Sequence, residues 1–280
     1  MGGTLVVHTG GIGDFILACP SIAQLAEDGP VDLLGQRERL ALAVEGGIAR
    51  VAYSLENVEF HSIFFAPSPK FREFLEAYSR AVVWMNDNDG RIRDSFLKCG
   101  VERVDVFPGL PPNDWQGHAS DYYLSKLNLP RGTPVRFQFT TDGNDDVVIH
   151  PGSGGVAKNW PIENYLALAD HLERTGHRVE WLVGPAERER SSAPRFPDAL
   201  PEGPLAAVAR RLAGARLYIG NDSGITHLAA AAGCNVVAIF GATDSRVWAT
   251  LGERVRVLGG LGRWPSVDEA IAACEMRSLV

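Results

Sequence analysis

The sequence twice runs from a short apolar stretch, through a cluster of glycines, into a segment with helical periodicity. The first cluster contains Gly10, Gly11 and Gly13, and the second spans residues 151–155. A strand, a glycine turn and a helix in this order form the repeating unit of a parallel sheet. The chain is therefore expected to be an α/β protein built from two such halves.

Further apolar runs alternate with helical segments through both halves. Strands are predicted at 5–8, 31–34, 51–54, 81–85, 147–150, 178–183, 216–219 and 236–240, and helices at 15–25, 40–44, 118–127, 162–174, 205–212 and 223–232. Proline, glycine and polar residues are concentrated in 130–146, which predicts a domain boundary near 130–145. We expect one domain over 1–140 and a second over 141–280. Ligands of open parallel sheets bind beyond the carboxyl ends of strands, so the turns there are the candidate sites.

Composition excludes several classes of protein. The 280 residues include 34 acidic and 27 basic side chains, a net charge of -7, without a run of Lys and Arg, which argues against a nucleic-acid partner. The four cysteines are far apart and predict neither a disulfide framework nor a zinc site. The longest apolar stretch, 228–242, falls short of the ~20 residues that span a bilayer, and the first residues lack a secretory signal. We expect a cytoplasmic protein without a transmembrane segment.

The turn after the first strand, from Gly10 to Asp14, lets the backbone approach a ligand closely. It departs from the dinucleotide fingerprint, because Ile16 stands where the third glycine is required and Gly35-Gln36 follows the second strand in place of an acidic residue. Nicotinamide binding is therefore the weakest interpretation. Asp14 is either a carboxylate that stabilises the start of its helix or a group that acts on a ligand, and both interpretations stay open.

The turn at 151–155, followed by Lys158, suits an anionic ligand. It offers backbone amides, the Ser153 hydroxyl and one ammonium group at the head of a helix. It is not a P-loop, because the Gly-x-x-x-x-Gly-Lys-Ser/Thr pattern is absent. The alternative is a plain surface turn with a solvated lysine.

The turn at 220–224 also opens a helix, which places His227 one turn beyond Ser223 on the same face. Its amides and hydroxyl suit a phosphate. Alternatively, Asp222 or Ser223 is an ordinary N-cap and His227 is a histidine satisfied within the protein. Two phosphate-competent turns in one half, with a carboxylate at the first strand end of the other half, favour a nucleotide site.

A third polar turn, Asp87-Asn88-Asp89, follows the strand predicted at 81–85. Paired carboxylates there could hold a divalent metal under a diphosphate. The same residues are typical of a polar turn leading into Gly90, and this second interpretation is favoured. No metal site is therefore expected.

These motifs together resemble glycosyltransferase family 9, the bacterial heptosyltransferases of lipopolysaccharide core assembly. Gly13-Asp14 with Leu17 and Pro20 resembles the family's Gly-Asp-x-x-Leu-x-x-Pro motif, and 118–129 resembles its helix before the interdomain linker. The resemblance continues in order through His150-Pro-Gly-Ser-Gly, Ala157-Lys158-Asn159-Trp160-Pro161, Gly184-Pro185-Ala186-Glu187, Gly220-Asn-Asp-Ser-Gly with His227-Leu-Ala-Ala, and Phe240-Gly-Ala-Thr-Asp244. It covers nearly the whole chain.

The resemblance implies a GT-B fold, in which two Rossmann-like domains with parallel sheets face a central cleft. The first would bind an acceptor and the second a nucleotide sugar, and a last helix near 267–274 is expected to pack back on the first domain. The implied activity is inverting, metal-independent transfer of heptose from ADP-heptose to a glycan or lipid-linked glycan acceptor. No cofactor is implied, since ADP-heptose is a substrate. The implied location is the inner face of the inner membrane, which the protein would contact peripherally.

Individual residues carry individual expectations from the resemblance. Asp14 matches the proposed catalytic base, and the matches to donor-binding positions are Ser153, Lys158, Asp222, Ser223, Gly224 and His227. The acceptor candidates are Gly13, Arg91 and Arg93. Relative to the family, the chain looks shortened in its first half and around 191–204, so a protein or small-glycan acceptor stays open. So does a catalytically inactive nucleotide-sugar-binding protein of the same fold.

Overall fold

The computed structural model describes residues 2–141, 143–184 and 203–275. The chain divides into two compact units, Met1–Phe137 and Gln138–Val280, and each is built on one parallel sheet. Within the described ranges, no helix combines the length and apolar character needed to cross a membrane. Residues 185–187 of the motif at 184–187 lie outside the described residues, and so does the segment 191–202.

The sheet of the first unit has the strand order β3-β2-β1-β4-β5, with all neighbours parallel. Its strands are β1 (Gly3–His8), β2 (Val31–Gly35), β3 (Val51–Ser54), β4 (Tyr78–Trp84) and β5 (Arg103–Phe107), and its helices are α1 (Ile12–Glu27), α2 (Arg37–Glu45), α3 (Pro69–Leu75), α4 (Arg91–Lys98) and α5 (Ala119–Lys126). Leu5, Val6 and Val7 are completely buried, although successive side chains point to opposite faces. Both faces of the sheet are therefore covered, as a parallel sheet requires.

The sheet of the second unit has the order β10-β9-β8-β6-β7, again parallel throughout. Its strands are β6 (Val147–His150), β7 (Val179–Trp181), β8 (Leu217–Asn221), β9 (Val236–Phe240) and β10 (Val255–Gly259), and its helices are α6 (Ile162–Arg174), α7 (Leu205–Ala213), α8 (Gly224–Ala231), α9 (Ser245–Trp248) and α10 (Val267–Glu275). Helix α10 packs on α6, β9 and β10 and buries Ala270 and Ala273 in the core of this unit. Its expected packing on the first domain stays a prediction.

The predicted strands and helices are confirmed, with shifts of a few residues at their ends. The sequence pattern missed strands β5 and β10 and helices α3, α4 and α9. Both strands lie at sheet edges, and both carry charged residues such as Arg103 and Asp105, which pair at 3.1 Å. An edge strand keeps one side near solvent, so it lacks the continuous apolar run that marks a buried strand.

Buried carboxylates near the amino edges of both sheets are paired with arginines that reach them from the surface. Asp32, 1% exposed, accepts hydrogen bonds from Arg50 at 2.8 and 2.7 Å and from the Tyr78 hydroxyl at 2.7 Å. Burial, together with this bond to Asp32, raises the pKa of Tyr78. In the second unit, Asp146 and Glu180 share Arg211. Since a buried carboxylate without a partner is strongly destabilising, we assign these groups to stability.

His8 ends strand β1 beneath the turn that precedes α1. Its ring is 2% exposed, lies 5.4 Å from that of Phe15, and makes no hydrogen bond to the part of the chain that is described. A Cβ placed on Gly10 would come within 2.9 Å of the His8 Cε1 atom, so the ring requires glycine there. Burial, assisted by the charge of Arg39, lowers the pKa of His8 to about 4.

We expect His8 to make the protein less stable as pH falls from 6.5 towards 4. In this range the unfolded chain binds a proton at its ordinary pKa of 6.5, while the native ring stays neutral. Between pH 7.5 and pH 5 this contribution amounts to about 2 kcal/mol. Urea unfolding of the wild type and of His8→Leu at both pH values measures it. An equal pH dependence of the two proteins would contradict the assignment.

Candidate functional site

The carboxyl ends of β6 and β8 meet where the strand order of the second sheet reverses. Strand β6 has β7 on one side and β8 on the other, with His150 opposite Gly220. The turns that follow these two strands therefore leave from the same edge of the sheet. Such a reversal point is the usual ligand position in an open parallel sheet.

Asn221, the last residue of β8, connects the two turns. Its side chain is fully buried, its Nδ2 donates to the Pro151 carbonyl at 2.8 Å, and its Oδ1 accepts from the Trp160 N–H at 2.8 Å. Both ends of the segment 151–160 are thus attached to β8. Asn221 lies within the motif at 220–224, but its residue type alone did not predict a role for it. The signal was available: a side-chain amide at the end of a buried strand has to find partners in the adjoining turns.

Both turns contain backbone N–H groups that the surrounding described structure does not use. Within the described part of the chain, those of residues 152–154 and of residues 223–225 have no hydrogen-bond partner. Ser223 is the N-cap of α8, since its hydroxyl accepts from the Thr226 N–H at 3.3 Å, so the N-cap interpretation is confirmed. Unpaired N–H groups at a helix start, together with the helix dipole, attract an anion.

The Ser153 hydroxyl is used by its own turn. It lies 2.7 Å from the Gly155 carbonyl and 2.6 Å from Asn159 Oδ1, and the residue is 4% exposed. The role of the Ser153 hydroxyl in donor binding therefore stays a prediction, because a ligand would have to replace one of these bonds. What Ser153 leaves available is its backbone N–H group.

Asp222 lies at the centre of the remaining predicted residues, with its side chain 7% exposed. Its Oδ2 accepts from Lys158 Nζ at 2.8 Å and from the Thr243 hydroxyl at 2.7 Å, and its Oδ1 lies 4.0 Å from His227 Nε2. Lys158 is 41% exposed, so its ammonium is within reach of a ligand. The structure thus brings Lys158, Asp222 and His227 together beside the start of α8. Thr243 is a member of this cluster that the sequence analysis did not single out.

Asp14 lies in the first turn of α1, in the first unit, beside Gly13. Its Oδ2 accepts from the Gly11 N–H at 3.0 Å, which confirms for this oxygen the interpretation of a carboxylate that stabilises the start of its helix. Its Oδ1 takes no hydrogen bond from the described residues, and the residue is partly exposed. One carboxylate therefore caps its helix and keeps one oxygen available. That Asp14 acts as the catalytic base stays a prediction.

The turn at 87–90 caps helix α4. The two oxygens of Asp87 accept from the N–H groups of Ile92 at 2.9 Å and Arg93 at 3.0 Å, which confirms the polar-turn interpretation. Arg91 and Arg93 are exposed, and Arg91 pairs with Asp89 at 3.2 Å. Among the residues that the structure describes, no group of three His, Cys, Asp or Glu side chains could hold a metal ion.

Comparison with known proteins places these motifs in a family. The model of glycosyltransferase family 9 (heptosyltransferase) matches residues 125–275. Lipopolysaccharide heptosyltransferase 1 of Pseudomonas aeruginosa is 38% identical over 129 residues, which cover 44% of this chain and 34% of that protein. The matched segment thus spans about a third of this curated relative.

Two solved structures share the fold over nearly the whole chain. Escherichia coli ADP-heptose lipopolysaccharide heptosyltransferase II matches with a TM-score of 0.73 and 19% identity, covering 99% of this chain and 98% of that one. An E. coli heptosyltransferase with ADP-2-deoxy-2-fluoro heptose matches with a TM-score of 0.71 and 20% identity, covering 98% and 99%. The fold is accordingly GT-B, made of two Rossmann-like domains. The family model spans more than half of the sequence, and this protein belongs to glycosyltransferase family 9.

Proposed function

We propose that this protein transfers a heptose from ADP-heptose to a hydroxyl of a glycan acceptor, with inversion and without a metal ion. Its place would be lipopolysaccharide core or related surface-glycan synthesis, at the inner face of the inner membrane. The observation that carries the proposal is the Lys158 ammonium beside the unpaired N–H groups of residues 152–154 and 223–225. The E. coli neighbour that contains an ADP-heptose analogue supports this choice of donor.

The chemistry of the leaving group explains why such a site suits the reaction. When the bond between the sugar C1 and the diphosphate breaks, ADP gains negative charge. Backbone N–H groups held by the fold stabilise that charge without reorganising, and the Lys158 ammonium contributes a full positive charge. Because these groups supply the neutralisation, the proposed reaction needs no metal ion.

Asp14 is the proposed general base. Its Oδ1 would take the proton of the acceptor hydroxyl while that oxygen attacks C1 from the side opposite the diphosphate, which inverts the anomeric centre. Such proton transfer contributes roughly 10²–10⁴-fold to a rate. Gly13, Arg91 and Arg93 are the proposed acceptor contacts, and the two exposed guanidinium groups suit an anionic sugar. A protein or small-glycan acceptor remains an alternative for the same residues.

A second candidate is a nucleotide-sugar-binding protein of the same fold without catalysis. The bond from the Gly11 N–H to Asp14 is the observation behind it, because it gives the carboxylate a structural role that requires no catalysis. Turnover of ADP-heptose with candidate acceptors separates the two candidates. Calorimetric titration with ADP, UDP and NAD tests the site itself, and tight NAD binding without ADP binding would overturn both.

The Lys158→Ala variant should bind ADP more weakly by about 10- to 100-fold. This range follows from the loss of a charge-assisted contact worth roughly 1.5–3 kcal/mol. The fold should persist, since Asp222 keeps its bond to Thr243. Calorimetry with ADP measures the effect. Lys98→Ala removes an exposed lysine of the other unit and serves as the charge-matched control. Equal ADP affinity in wild type and Lys158→Ala would remove Lys158 from the site.

The Asp14→Asn variant should lose turnover by ~10²-fold or more while ADP affinity holds. The amide oxygen of asparagine can still accept from the Gly11 N–H, so the helix cap survives and only proton acceptance is lost. Asp94→Asn, which changes an exposed acid in the first turn of α4, is the matched control. An Asn variant that keeps most of its turnover would show that the base lies elsewhere.

Turnover should not depend on added Mg²⁺ and should continue in the presence of a chelator. The physical reason is that Lys158 and the turn amides neutralise the leaving group. Initial rates measured with EDTA and with Mg²⁺ provide the test. If the chelator abolished turnover and Mg²⁺ restored it, Asp87 and Asp89 would become the first metal candidates, although Asp87 would then have to release two N–H groups of α4.

A further inference from the structure

Thr243 contacts Asp222 in the candidate site, and the proposed chemistry gives it no role. It lies in the turn after β9, and β8 and β9 run side by side with Asn221 opposite Ile239. The parallel pairing therefore brings the residues after β9 next to Asp222. The Thr243 hydroxyl donates to Asp222 Oδ2 at 2.7 Å.

The oxygen that Thr243 contacts is the same one that holds Lys158. Asp222 Oδ2 accepts from Lys158 Nζ at 2.8 Å, while Oδ1 lies 4.0 Å from His227 Nε2. The Asp222 side chain is nearly buried, whereas that of Lys158 is 41% exposed. The fixed member of the lysine ion pair is thus Asp222, and the Thr243 hydroxyl holds its carboxylate in place.

The hydrogen bond from Thr243 to Asp222 has two effects on diphosphate binding, and both strengthen it. A carboxylate with a fixed position presents the Lys158 ammonium at one place, so less rotamer freedom is lost when a ligand binds. When the ammonium turns towards a phosphate, the Asp222 carboxylate still keeps its hydrogen bond from the Thr243 hydroxyl. The free-energy cost of releasing Lys158 is therefore smaller. Without the hydroxyl, Lys158 would be both less ordered and more strongly retained by Asp222.

We propose that Thr243 is a positioning residue, which acts through Asp222 to hold Lys158 ready for the diphosphate of the donor. This inference rests on the proposed function, because it assumes that the diphosphate binds beside Lys158. It adds a residue from a third turn of the same sheet edge. It also gives the Phe240-Gly-Ala-Thr-Asp244 motif a physical role.

The test compares ADP with AMP as calorimetric probes of the whole protein. Thr243→Val removes the hydroxyl at similar volume and should weaken ADP binding about tenfold, the size expected for one hydrogen bond to a charged group. AMP, which lacks the second phosphate, should lose less affinity. Thr243→Ser keeps the hydroxyl and should restore ADP binding. Thr175→Val removes a hydroxyl that bonds to helix carbonyls elsewhere in the same unit and is the matched control.

A double-mutant cycle decides whether Thr243 acts through Lys158. In the Lys158→Ala background, Thr243→Val should cause little further loss of ADP affinity, because the group that it positions is already gone. Unchanged ADP binding in Thr243→Val, or an undiminished loss in the double variant, overturns the inference. The inference is also overturned if Thr243→Val weakens ADP and AMP binding equally and Thr243→Ser does not restore ADP affinity.

The outcomes also separate this inference from the proposed function. If the wild-type protein binds no ADP, both are overturned together. If the wild type binds ADP and Lys158→Ala weakens it while Thr243→Val does not, only the positioning role is wrong. Thermal unfolding confirms that each variant is folded, and Thr243→Ala repeats the test if the valine variant is not.

Discussion

The parallel pairing of β6 with β8 is the constraint on which the candidate donor site depends. In a parallel sheet every strand ends at the same edge, so residues from distant turns are brought together without any preference of their own. Lys158 follows β6, Asp222 follows β8 and Thr243 follows β9. Lys158 and Thr243 nevertheless donate to the same carboxylate oxygen of Asp222. The buried amide of Asn221 then holds the first of these turns against the second strand.

The two edges of the sheets have opposite physical characters. At the amino edges, buried carboxylates such as Asp32 and Asp146 are paired with arginine, which satisfies their charge inside the protein. At the carboxyl edge of the second sheet, the N–H groups of residues 152–154 and 223–225 are left without partners in the described structure. Donors left unpaired in this way cost folding stability, but they are arranged in advance for an anionic ligand.

Asp14 illustrates how one side chain serves structure and chemistry together. A carboxylate has two oxygens, and in α1 one of them accepts the Gly11 N–H while the other stays available. The cap restricts the side chain to one orientation, which a general base also needs. Capping and proton acceptance are therefore compatible in geometry, and the sequence pattern that predicts one does not exclude the other.

By itself, the sequence determined the α/β class, the central strands, most helices and the turns where a ligand could bind. It did so because buried parallel strands are continuous apolar runs, and because glycines follow strands that end at a site. The edge strands β5 and β10 were missed because charged residues interrupt their apolar pattern, whereas β3 and β7 at the opposite edges were predicted. Only the tertiary structure showed that the Ser153 hydroxyl serves its own turn, and that Asn221 and Thr243 complete the site. These contacts join residues from separate turns, and hydrogen bonds between distant segments leave no periodic pattern in a sequence.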